Sequence, residues 1–396
     1  MKVDAEKPAI EPEESEAAPM KAVINLNHMK HALKVVTPAV ERTSTMPILH
    51  SVRMEQLPEG LTLEATNLDV FIRALVPESG GPERAIVIPA ERFLNYAKLL
   101  DGDDVKLSCT DRRVTLQCGR ARAVLPMMSA KHWPDNGVLR LGAEGGMAAS
   151  GSATLQQGSL ARALEFTMLA VCQEESRFTL NGVLLQGDGT TLKLVATDGH
   201  VLMLYTVPCE EKINLVMPYR ILKAAVPWLA DNDDGVDLWH DDRAVRIAIA
   251  AETPVSVAGP KITGTFPNWE AVFPKAKRPE ITVNAKALLA SLERCALLTD
   301  ERSCCIRLTF DPDKEVIRIT GSDSQAGEAE ETVDCTGQVE TALQMGVNGQ
   351  YLISVVKKLD GDVFFVPPAD AASPLLFKAT PHEGETLGYV VMPMRI

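Results

Sequence analysis

Apolar and polar positions along this chain follow one grammar that is written three times. A short strand-like run ending in a turn occurs as LTLEATNLD, LKLVATDGH and VIRITGSDS. Thr66 and Thr197 stand 131 positions apart, and Asp198 and Asp323 stand 125 apart. A second signature, a Pro or Asn opening a stretch with helical spacing, recurs as VIPAERFLNYAKLLDGD, VMPYRILKAAVPWLAD and GVNGQYLISVVKKLDGD. Pro89, Pro218 and Val347 fall at equal intervals of 129 residues. Two independent landmarks of nearly one period mark a repeat architecture, in which function arises from modules rather than from a single active site.

The patterning predicts, in each module, a helix, two strands carrying the turn, a second helix and further strands. The first module has helices over 27–41 and 89–100 and strands over 49–54, 61–65, 105–108 and 114–118. The second has helices over 159–172 and 218–230 and strands over 180–186 and 192–196. The third has helices over 286–298 and 350–359 and strands over 306–310 and 316–320. Strands outnumber helices, so the fold class is α+β. Pro227 falls inside one predicted helix, where the missing backbone donor should kink or shorten it.

The length of 396 residues suits two to four domains at roughly 100–200 residues each, and the repeat selects three. No apolar run approaches the roughly 18 residues that would span a bilayer. Residues 1–19, acidic and rich in Ala and Pro, read as a disordered tail with too little apolar surface to offset the entropy of ordering. They lack the basic start and apolar centre of a secretory signal. The expected location is therefore cytoplasmic.

Recognisable catalytic groupings are missing from the sequence: it has no GxxxxGK[ST] loop, no GxSxG elbow and no HExxH pair. No cofactor and no metal are expected. His28 and His31 lie three apart on a predicted helix with no adjacent carboxylate in sequence. The DNDDG stretch at 231–235 departs from a calcium loop, lacking its glycine and distal glutamate. The eight cysteines include no CxxC pair and read as reduced thiols packed as small hydrophobes. Cys304 and Cys305 would point to opposite faces of a strand.

The charge distribution changes the picture more than its total. The formal net charge is −13, yet the predicted helix windows sum to +7 and leave −20 elsewhere. Helices turned inward and sheets outward would give a basic lining within an acidic wall, suited to sequence-independent phosphate contact. Solvated helix faces account for the same residues without nucleic acid, since Lys and Arg are good helix formers.

Several ordered strings carry a specific resemblance: MPILHSV at Met46, SRFTLNGVL at Ser176, VATDGHVL at Val195, TFPNWEAVFP at Thr265, VNGQY at Val347 and YVVMPMRI at Tyr389. From residue 20 to residue 396 the chain resembles the bacterial DNA polymerase III beta subunit, the sliding clamp. The resemblance implies three clamp domains, at 20–147, 148–278 and 279–396, with two subunits joined head to tail in a ring. Helices would line its hole and antiparallel sheets its rim. Such a ring encircles double-stranded DNA without sequence preference and confers processivity without being an enzyme. Implied partners are the polymerase III alpha and delta subunits, other polymerases and repair proteins, on the nucleoid.

The resemblance also implies sites. A partner-peptide cleft falls to Leu180, Thr197, Gly199, His200, Leu202, Pro267, Val272, Asn348, Tyr351, Pro374, Val390, Val391, Met392, Pro393, Met394 and Arg395. Adaptable Met side chains suit a groove that accepts several peptides. Core packing is the competing reading for Leu180 and Val391. Val201 and Ala271 stand where the family often carries cations, which makes the cleft more apolar. The dimer interface falls to Arg120, Arg122 and Leu125 against Leu297, Leu298, Glu328, Glu330 and Glu331. DNA contact falls to Arg42, Arg92, Arg162, Arg177, Arg220, Lys223, Lys357 and Lys358. Three other readings are a specialised or accessory clamp, a repeat scaffold with no nucleic acid, and an enzyme with an unrecognised pocket.

Overall fold

The computed structural model describes residues 20–396 except 111, 135, 136, 144, 145, 275–277, 301, 326, 338 and 340. The tail assigned to residues 1–19 lies outside the described residues. Six α-helices occur among them: α1 (Leu26–Val36), α2 (Ala90–Leu99), α3 (Gln157–Thr167), α4 (Tyr219–Ala225), α5 (Ala285–Ala296) and α6 (Gly349–Val356).

Each helix starts where a strand ends, and the N-cap residues are Asn25, Pro89, Gln156, Pro218, Asn284 and Asn348. An asparagine cap satisfies backbone N–H groups that the helix itself leaves unpaired. Asn25 accepts from the Asn27 and His28 N–H groups, Asn284 from those of Lys286 and Ala287, and Asn348 from that of Gln350. Replacing Asn284 by alanine is expected to lower stability by about 1 kcal/mol in urea denaturation, without altering the assembly.

The helices bury one stripe each, as their spacing requires. In α1 the buried stripe includes Leu26, Met29, Leu33 and Val36, and in α5 it includes Leu288, Leu292 and Cys295. Several predicted boundaries shift. The 27–41 helix ends at Val36 and the 159–172 helix at Thr167, each followed by a 3-10 turn. The 218–230 helix ends at Ala225, and Val226–Trp228 forms a 3-10 turn around Pro227. Leu49 and Leu180 were expected to begin strands. They lie in 3-10 turns instead, and the strands run Ser51–Leu57 and Gly182–Asp188.

Contacts group the chain into two compact units, residues up to 135 with 252–255, and residues 136–251 with 256–396. In the first unit, strands Met20–Asn25, Asp104–Cys109, Arg113–Cys118 and Ala121–Pro126 form a four-stranded antiparallel sheet. Strands Phe71–Val76, Gly60–Thr66, Ser51–Leu57 and Ile86–Pro89 pair in that order. Glu64, 3% exposed along its side chain, lies between Arg53 (3.2 Å) and Arg73 (2.6 Å) there. Paired in this way, the buried carboxylate exchanges its solvent contacts for two guanidinium partners.

The second unit contains a twelve-stranded sheet. Its seam is the antiparallel pairing of Val201–Pro208 with Thr386–Val391, in the register Val201↔Val391, Leu202↔Val390 and Thr206↔Thr386. Val201, Leu202, Met203, Tyr205 and Val207 are all buried, so this strand is apolar on both faces. One side of the seam packs Leu184, Val195, Leu202, Trp269, Val366, Leu376 and Val390 into a common core. The candidate cleft sits directly above it.

Candidate functional site: an apolar cleft at the sheet seam

The cleft has a volume of about 210 Å³ and is lined by Leu180, Thr197, Gly199, Val201, Leu202, Pro267, Asn268, Trp269, Val272, Val390 and Met392. Eight of these are among the sixteen expected residues. Thr197–Val201 forms one wall as a tight turn. Thr197 Oγ1 donates to the Val201 carbonyl at 2.6 Å and accepts from the Gly199 N–H at 3.1 Å. Gly199 has φ +90°, a conformation that side chains other than glycine rarely adopt. The Met392 N–H donates to the His200 carbonyl at 2.9 Å, which fixes the last strand's exit to the same turn.

Trp269 forms the opposite support. It is 8% exposed, meets Phe273 edge-on at 6.4 Å and carries Lys193 over its ring at 5.6 Å. The 3-10 turn Trp269–Ala271 leaves Val272 at 44% exposure, and Met392 stands at 39%. No lining side chain is charged, so an occupant meets apolar surface that is already partly desolvated. Asn268 and Trp269 were not expected as lining, although the TFPNWEAVFP string that contains them was singled out.

The remaining expected cleft residues are placed differently. Val391 is fully buried between Val201 and Leu375 and does not reach this volume, unlike its equally buried neighbour Val390. Asn348 caps α6, and the Tyr351 hydroxyl donates to Asp198 Oδ2 at 3.0 Å. That contact and burial push the Tyr351 phenol up to about 12, burial being the larger cause. Met394 bridges to Gly346 through its backbone. His200 and Arg395 are exposed, and Pro374 and Pro393 are half-buried.

Among the residues expected at DNA, Arg42, Arg92, Arg220, Lys223 and Lys357 are exposed. Arg162 is engaged within the chain. It donates to Glu385 from Nε (3.2 Å) and Nη2 (2.7 Å), and its Nη1 pairs with Asp231. Tyr205 completes that cluster, donating to Glu385 Oε2 at 2.5 Å. Lys358 pairs with Glu165 at 2.8 Å, and Arg177 lies 3.3 Å from Glu174.

Of the expected interface, Arg120, Arg122 and Glu328 are exposed and Leu297 stands at 79% exposure, whereas Leu125 is buried at 9%. Glu331 accepts from Arg294 at 2.8 and 2.7 Å, and Glu330 lies 3.6 Å from Arg318. His28, expected to lack a carboxylate neighbour, has Nε2 3.4 Å from Glu252 and Nδ1 3.1 Å from the Pro77 carbonyl. No three His, Cys, Asp or Glu among the described residues form a metal-binding group. None of the eight cysteines forms a disulfide. Cys304 precedes the strand Cys305–Phe310 at φ 47°, so the two neighbouring thiols do not alternate across a strand as expected.

Three descriptions of the DNA polymerase III beta subunit match the chain in order: its N-terminal domain over residues 20–137, its central domain over 154–268 and its C-terminal domain over 270–395. The chain belongs to the DNA polymerase III beta subunit family. Its function is that of a DNA sliding clamp. The beta sliding clamp of Caulobacter vibrioides is 29% identical over 95% of this chain and all of the relative. That of Escherichia coli is 25% identical over the same shares. The solved DnaN clamp of Pseudomonas aeruginosa bound to griselimycin has a TM-score of 0.84 at 26% identity, covering 96% of this chain and all of that one. The Caulobacter crescentus clamp has a TM-score of 0.83 at 28% identity, with the same coverage. The cleft lining thus draws on the central domain of the family at the ATDGH turn and on its C-terminal domain at the last strand, with Trp269 at the junction of the two matched spans.

Proposed function

We propose that two copies of this chain join head to tail in a ring that encircles duplex DNA, and that the seam cleft tethers partner proteins through short apolar peptides. The observation that carries the tethering is the uncharged cleft itself, framed by Trp269, Val272 and Met392. Domains at 20–147, 148–278 and 279–396 would then alternate around the ring. The ring works without chemistry of its own, holding polymerase III alpha and delta subunits, other polymerases and repair proteins on the nucleoid in the cytoplasm.

Exposed Arg42, Arg92, Arg220, Lys223 and Lys357 supply the phosphate contacts in this reading, with Arg177 and Lys358 beside them. Arg162 drops out because Glu385 and Asp231 already occupy its guanidinium. Arg120 and Arg122 would meet Leu297 and Glu328 of the second copy, opposite charge fixing the register. A specialised clamp copy is the second reading, favoured by Val201 and Ala271, which bring no cation to the cleft.

Enclosure is tested by loading the protein on a circular duplex and then cutting it. Retention on the circle and release after linearisation is expected, and equal loss from both would defeat the ring. Residual binding to linear DNA should weaken steeply with salt, since each phosphate contact releases condensed counterions. Griselimycin, which the Pseudomonas aeruginosa clamp binds, is expected to occupy the seam cleft. Calorimetry on wild type and Val272→Ala checks this: failure of the wild type to bind would remove the cleft reading.

A further inference from the structure

One carboxylate outside the cleft lining ties the turn that forms one wall to helix α6. Asp198 Oδ1 accepts from the His200 N–H at 2.8 Å and the Val201 N–H at 2.9 Å. Its Oδ2 accepts from the Tyr351 hydroxyl at 3.0 Å. Its backbone carbonyl accepts from Arg177 Nη1 at 2.9 Å. The first pair of bonds shapes the turn that presents Thr197, Gly199 and Val201 to the cleft. The third reaches α6, in the other family domain. Under this junction lies Tyr389, fully buried, its hydroxyl without a hydrogen-bond partner among the described residues. Burial raises the Tyr389 phenol well above its ordinary range, and the nearby Asp198 charge and Tyr351 add to that. The carboxylate therefore stands where the turn, the helix and the last strand converge.

We infer that Asp198 is the positioning residue of the cleft: its carboxylate, bridging the turn N–H groups and the Tyr351 hydroxyl, fixes the turn that forms one wall against α6 before any peptide arrives. The inference rests on the cleft being the peptide site. Preorganisation of this kind strengthens binding by removing the ordering cost from the association step. The geometry divides the labour between the two carboxylate oxygens. Oδ1 gives the turn its shape, with Gly199 at φ +90° held in place. Oδ2 fixes where that turn stands relative to α6. Losing Tyr351 Oη should leave the turn intact but release its position. Losing the carboxylate should release both, after which the phenol has nothing left to hold.

Griselimycin affinity of the full chain, measured by calorimetry for Tyr351→Phe, Asp198→Ala and the double variant, tests this. A hydrogen bond to a charged group is worth enough for Tyr351→Phe to weaken binding by about tenfold, and its loss should also lower the urea midpoint modestly. Asp198→Ala should weaken binding further, and the double variant should match Asp198→Ala alone. Unchanged affinity in Tyr351→Phe overturns the inference by itself, even if Asp198→Ala fails to fold. Losses that multiply in the double variant also overturn it, because they assign the Tyr351 hydroxyl a direct contact with the ligand. A wild-type chain that ignores griselimycin removes the cleft reading and this inference together.

Discussion

Replacing Glu385 by alanine is expected to lower the stability of the second unit by about 3 kcal/mol, because Tyr205 loses its acceptor and Arg162 keeps only the exposed Asp231 as a carboxylate partner. Glu385 is 2% exposed and holds Arg162 on α3, while Tyr205 donates to it from the seam strand. The lower end of the usual range applies, since the Arg162 side chain keeps 25% exposure and regains some solvent. Glu385→Gln should lose less, as the amide oxygen still accepts from Tyr205. Three of the four tryptophans, Trp228, Trp239 and Trp269, lie in the second unit and only Trp133 in the first, so tryptophan fluorescence during urea denaturation reports mainly on the second unit.

The same cluster predicts a pH dependence. Burial alone would raise the Glu385 carboxyl, but hydrogen bonds from Arg162 and Tyr205 outweigh it and hold the group below its ordinary value of 4.5. The unfolded chain then binds the proton more readily than the folded one. The contribution is therefore complete above the unfolded value and is lost as pH falls through the folded one. Stability measured from neutral pH down through that window should fall more steeply in wild type than in Glu385→Ala. Parallel curves would show that the cluster does not titrate on unfolding.

Trp269→Ala is expected to remove both packing and binding. A buried aromatic cut to alanine costs about 3–5 kcal/mol, the loss growing with the cavity left behind. Trp269 touches the shared core and supports Phe273, so little can collapse into the gap. The cleft also loses one wall, and griselimycin affinity should fall by more than tenfold. Val272→Ala separates the two effects, because its side chain is largely exposed at 44%. It should weaken binding with little change in the urea midpoint. If Trp269→Ala destabilised the chain yet bound griselimycin as wild type does, the indole would be core alone.

Local pattern settled a large part of this molecule. The repeat of strand, turn and capped helix follows from side chains acting within a few residues: Asn caps, alternating apolar positions and the Pro227 break. The family resemblance carried by the ATDGH and VMPMR strings, rather than local pattern, implied a cleft, and Thr197, Gly199 and Met392 of those strings line one. Other outcomes were set by groups far apart in sequence. Arg162 reads as a free cation on a helix, yet Glu385, 223 positions away, takes its charge. Leu180 and Val391 are similar in chemistry, yet Leu180 lines the cleft from a 3-10 turn while Val391 is enclosed between Val201 and Leu375. Trp269 becomes a wall only once strands of the second and third modules pair beneath it. Short-range geometry is written in neighbouring residues, whereas burial and pairing depend on which distant elements come together.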